Sequence, residues 1–100
     1  MYIRATRYSF TGDGANKGAE IYNTKAKPMW SKQKGFHSMM RSRFVGDKYS
    51  DQQMVVLRFE SKEAFEKARE AVKDQREEML KGLEKAGIKT EEVIETEEIT

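Results

Sequence analysis

The sequence predicts an α+β fold of ferredoxin-like type, βαββαβ, with a four-stranded antiparallel sheet and two helices on one face. Two observations carry this. Four short segments rich in β-formers are interrupted by two longer stretches whose apolar residues recur every three or four positions. The third β-segment is also apolar on both faces, with Met54, Val56 and Arg58 on one side and Val55, Leu57 and Phe59 on the other. Such a strand belongs in the middle of a sheet and needs cover front and back. One helical layer covers a single face, so the other cover is expected from a second copy of the chain. A chain of 100 residues fits one domain, 1–100.

Tyr2 to Phe10 reads as the first strand, because its tyrosines, isoleucine, threonine and phenylalanine suit a pleated surface. Gly12-Asp13-Gly14 breaks it. From about Ala15 the period becomes helical, through Ala19, Tyr22, Ala26, Met29 or Trp30, and Gln33. Pro28 lacks a backbone donor, so a kink or break is expected near Lys27, and Gly35 is the expected end.

Phe36 to Val45 reads as the second strand. Strict alternation puts Phe36, Ser38, Met40, Ser42 and Phe44 on one face, and His37, Met39, Arg41, Arg43 and Val45 on the other. Residues 46–51 are polar and of hairpin length. Gln53 to Phe59 is the third strand. Ser61 is an N-cap, and Phe65, Ala68, Val72, Gln75 or Arg76, Met79 and Leu83 form the buried stripe of one helix that ends at Gly87. Val93 to Ile99 alternates with Glu and Thr and reads as an edge strand.

Composition narrows the function classes. The 19 basic and 17 acidic residues leave a net charge of +2, too small and too mixed to suggest nucleic acid or a membrane surface as partner. There is no cysteine, which excludes disulfides, thiolate nucleophiles and sulfur-ligated metals and points to the cytoplasm. A single histidine gives no conventional zinc site. The segment Gly12-Asp13-Gly14-Ala15-Asn16-Lys17-Gly18 lacks the glycine and lysine spacing of nucleotide-binding loops, and reads as a turn. Lys34-Gly35-Phe36 imitates the start of an RNA-binding signature, but His37 and Ser38 do not continue it.

Three features resemble a known group of proteins. The first is Gly35-Phe36 at the opening of the second strand, similar to a "p-G-[CF]" pattern. The second is Val56-Leu57-Arg58-Phe59-Glu60-Ser61-Lys62-Glu63-Ala64-Phe65, similar to "v-x-x-w-e-S-x-e-A-f". The third is the element order over essentially the whole chain. Together they resemble the dimeric α/β-barrel superfamily, closest to proteins related to antibiotic-biosynthesis monooxygenases.

The resemblance implies a homodimer packed sheet to sheet, with a small-molecule pocket between each sheet and its helices. It implies cofactor-free oxidation of an aromatic or other electron-rich substrate. The haem-degrading branch of the superfamily uses an asparagine on the first strand and a histidine on the second helix. Residues 1–10 contain no asparagine and 61–86 no histidine, so no cofactor is expected.

On this reading the candidate catalytic residues are His37, Trp30 and Tyr22, and the candidate substrate-binding residues are Tyr8, Arg41, Arg43 and Met40. Each has a plainer reading beside it. His37 suits a surface position, the arginines suit pairing with the acidic last strand, and Trp30 and the methionines suit an ordinary core. The alternative function is a non-catalytic dimeric binding protein or a stress-related structural protein.

Overall fold

A computed structural model describes residues 1–99; Thr100, the last residue of the expected domain 1–100, lies outside the described residues. The elements run β1 (Tyr2–Phe10), α1 (Gly14–Ile21), a π-helical segment (Tyr22–Ala26), α2 (Lys27–Ser31), β2 (Phe36–Arg43), β3 (Gln52–Phe59), α3 (Lys62–Ala71), α4 (Lys73–Lys85) and β4 (Ile88–Glu97). The sheet order is β2-β3-β1-β4, with every pairing antiparallel. This is the ferredoxin-like arrangement, with β1 and β3 central and the charged β4 at an edge. Among the described residues no helix is long and apolar enough to cross a membrane.

Side-chain alternation on the central strands decides where the core lies. Tyr2, Leu57 and Phe59 point to the helices and are buried with Met29, Trp30, Phe65, Ala68 and Val72. Phe59 is the centre of this cluster. It has no exposed surface, and it meets Trp30, Phe36 and Phe65 edge to face at 6.0, 6.0 and 5.7 Å between ring centroids.

The other face of the sheet carries a transverse apolar row. Ala5 lies opposite Val56 on one side and Ile94 on the other, and Val56 lies opposite Met40. Met40 and Ile94 are exposed large hydrophobic residues in the single chain. No element of the described chain covers this row.

Several local expectations are corrected. The second strand stops at Arg43 rather than Val45, and β4 begins at Ile88, five residues before the expected Val93. The face assignment in β2 is also altered. Its register shifts between Phe36 and Ser38, so that Phe36 lies opposite Phe59 but Ser38 lies opposite Arg58. His37 is the extra residue of this bulge, which lets Phe36 enter the core on the same side as Met39 and Arg41.

The long second helix is two helices. Val72, at φ −106° and ψ 16°, leaves the helical region while its side chain stays buried. No glycine or proline marks that break. At Pro28 the outcome is gentler than a break. The π-helical turn Tyr22–Ala26 absorbs the irregularity just upstream, and Pro28 sits in the first turn of α2, where a missing donor costs little.

Two turns are set by single residues. Ser61 Oγ accepts from Ala64 N–H at 3.1 Å and caps α3. Gly35 has φ +88°, and a Cβ there would lie 2.7 Å from Ala64 Cβ. Gly35→Ala is therefore expected to lower unfolding stability by about 2 kcal/mol or more, since it combines left-handed strain with a clash against α3. Urea denaturation measures this directly.

Candidate functional site

A cavity of about 220 Å³ lies between the helix-facing side of the sheet and the helices. Its position follows from residue size. Val55, Met39 and Thr6 are too small or too flexible to fill the layer that Phe59, Trp30 and Phe65 close at the other end. Gly18 lets α1 come close to the sheet, since a Cβ there would meet Phe10 Cε1 at 3.0 Å and Ile88 Cδ1 at 3.1 Å. On the opposite wall α4 contributes Arg76, Met79, Leu80 and Leu83. A shallow groove shares Tyr8, Leu80, Leu83, Ile88 and Thr90 with the cavity and continues past Glu84 and Lys89. It is a route to solvent between α4 and β4.

Most of the lining is apolar, and a few polar groups converge on it: Arg4, Tyr8, Tyr22, Arg41, Gln53 and Arg76. That mixture is the usual chemistry of a small-molecule pocket. Burial pushes the Tyr8 phenol above its ordinary pKa, against the opposing pull of Thr6, Arg76 and Arg4. It is a neutral hydrogen-bonding group near pH 7. Tyr22 is raised in the same way by burial, with Arg41 opposing. The Arg41 guanidinium stands 5.6 Å from the Tyr22 ring centroid, a cation–π pair at the rim.

Arg4 holds Glu95 at 2.7 Å. Arg76 has a pKa below its ordinary value, first through burial and then through the like charges of Arg4 and Arg69. Gln53 Oε1 is buried and has no hydrogen-bond partner among the described residues.

Of the residues singled out from the sequence, Tyr8, Tyr22, Trp30 and Arg41 meet in this lining. Trp30 is held from behind, stacked on Phe65 at 5.5 Å. His37, Arg43 and Met40 are not part of the lining. His37 is exposed at the bulge, 3.0 Å from Ser38 Oγ. Arg43 is exposed at the end of β2, and Met40 belongs to the opposite sheet face. The bulge at His37 explains the last point, since it changes which residues of β2 share a face.

Arg4, Gln53 and Arg76 were not singled out from the sequence. Arg4 has the same parity as Tyr8 on β1, and Arg76 interrupts an otherwise apolar helical stripe. Those two placements were the available signals. Nothing in the sequence distinguished Gln53.

No family model matches the chain, and no curated protein matches it. Solved structures do match. A Deinococcus radiodurans protein named for antibiotic biosynthesis monooxygenases aligns with TM-score 0.80 at 11% identity, covering 100% of this chain and 94% of that one. SnoaB, a cofactor-independent oxygenase from Streptomyces nogalater, aligns with TM-score 0.76 at 14% identity, covering 99% and 93%. A dimeric ferredoxin-like protein from an uncultured marine organism aligns with TM-score 0.72 at 18% identity, covering 99% and 98%. The chain thus has the fold shared by dimeric ferredoxin-like proteins and proteins of antibiotic-biosynthesis-monooxygenase type.

Proposed function

We propose that this protein is a cytoplasmic homodimer that binds a small aromatic molecule between its sheet and its helices and oxidises it without a cofactor. The observation that carries this reading is the cavity itself: apolar walls and a handful of convergent polar groups. The fold supports it, since SnoaB, a cofactor-independent oxygenase, is built the same way. Size sets the substrate class. An apolar cavity of about 150 Å³ accepts benzene, so about 220 Å³ suits a substituted ring or two fused rings.

In such a reaction the electron-rich ring is the reductant and dioxygen the oxidant. A ring methylene becomes a carbonyl, one oxygen atom enters the product and the other leaves as water. Trp30 and Tyr22 shape the pocket around the ring. Arg76, with Arg41 at the rim, stabilises the oxyanion that forms as the substrate passes its proton to solvent water at the open side of the cavity.

The second subunit covers the open sheet face. Val56, Ala5, Met40 and Ile94 are the contact row we assign to it, in keeping with the dimeric ferredoxin-like neighbours.

One observation favours a second reading, a binding protein without catalysis. Among the described residues the cavity lining contains no histidine, aspartate or glutamate, and so no conventional general base. An oxygen electrode separates the two. With 1,5-dihydroxynaphthalene, whose keto tautomer carries the ring methylene that is oxidised, and no added metal or cofactor, the oxidase reading expects protein-dependent oxygen uptake that falls at least tenfold in Trp30→Ala. Binding of the same compounds with no uptake above the protein-free rate contradicts it and leaves the binding reading.

A further inference from the structure

The charge around the cavity is one-sided. Arg4, Arg41 and Arg76 line it, and among the described residues no acidic side chain does. Arg4 is neutralised by Glu95 at 2.7 Å, and Arg41 rests on the Tyr22 ring at the rim. Arg76 is different. It is half-buried, and among the described residues it makes no ion pair and no side-chain hydrogen bond. Its charged neighbours Arg4 and Arg69 are cations.

A guanidinium taken out of water with no counter-charge is costly, and an anion seated against it removes that cost. The planar fork of arginine matches a carboxylate through two parallel hydrogen bonds. Next to it, the neutral Tyr8 phenol supplies a further donor. Tyr8 and Gln53 are register partners across β1 and β3. The unpartnered Gln53 Oε1 therefore sits beside Tyr8 and would accept from a ligand hydroxyl. The remaining wall, from Val55 and Leu57 across to Met79, is apolar.

We propose that the ligand is an aromatic carboxylate, its acid group seated on Arg76 beside Tyr8 and its ring against Val55, Leu57 and Met79. This rests on the cavity being the binding site, as proposed above, and adds the chemical class of the ligand. It also suits a cavity without a base, because the protein's contribution would be to hold an anion.

Isothermal titration calorimetry with a matched pair of probes tests it. 2-Naphthoate and 2-naphthamide have nearly the same shape and differ in charge. The expected result is at least tenfold tighter binding of the naphthoate to the wild-type protein, a preference that weakens as salt is raised. Arg76→Gln removes that preference while leaving the amide's affinity within about twofold. Lys81→Gln, which removes an exposed cation of α4 outside the lining, leaves both probes unchanged.

The wild-type comparison needs no variant, so a failure of Arg76→Gln to fold does not weaken the test. Equal affinity for the two probes overturns the carboxylate assignment and leaves the cavity reading in place. No heat from either probe at millimolar concentration overturns both.

Discussion

Val56→Glu is expected to convert the protein from a dimer to a monomer. In light scattering coupled to gel filtration, the wild-type chain should run at twice its subunit mass of 11.6 kDa, and the variant at 11.6 kDa. Val56 lies on a central strand and points away from the helices, in a row with Met40, Ala5 and Ile94. If a partner sheet covers that row, a glutamate there must give up water among Met40, Ala5 and Ile94, at a cost of several kcal/mol that Arg58 and Arg7, farther along the same face, offset only in part. If the row faces water, the same substitution costs little. The far-UV circular dichroism of the variant should keep its wild-type shape, because Val56 takes no part in the helix-facing core. A Val56→Glu protein that stays dimeric would rule out this face as the interface.

Phe59→Ala carries the largest expected effect on the subunit itself. Phe59 is fully buried and joins three other rings, Trp30, Phe36 and Phe65. Truncating such a side chain removes transfer energy and leaves a cavity, together about 3–5 kcal/mol. A domain of this size has roughly 5–15 kcal/mol in all. The melting temperature should therefore fall by more than about 10 °C. The variant should also bind aromatic probes more weakly, since Trp30 packs edge to face on Phe59 and lines the cavity. A loss below about 1 kcal/mol in chemical denaturation would show that this ring cluster does not hold the helices to the sheet.

Much of this architecture was legible in the residues. The alternation Val55, Leu57, Phe59 against Met54, Val56, Arg58 located a central strand and implied two covers for it. Ser61 with Phe65, Ala68 and Val72 marked a capped amphipathic helix, and the charged alternation of the last strand marked an edge. What was illegible depends on irregularities that no local pattern signals. The bulge at His37 moves Phe36 to the other face, and with it the assignment of Met40. Val72 breaks a helix without glycine or proline, because its buried side chain is held by the core while its backbone turns.

The site was half legible for the same reason. Tyr8, Tyr22, Trp30 and Arg41 stood out by residue type, whereas Arg4, Gln53 and Arg76 come to one cavity only through the antiparallel register of β1 with β3 and the placement of α4 on the opposite wall. A charged residue on an apolar stripe, as at Arg76, was the one hint available before the fold was known.

The claim on which the rest depends is that the space between sheet and helices is a ligand site. A crystal structure of the wild-type protein with 2-naphthoate tests it most directly. The expected result is ring density against Val55, Leu57 and Met79, with the carboxylate at Arg76. Density confined to the outer surface, with side chains closed over the space beneath α4, would contradict it.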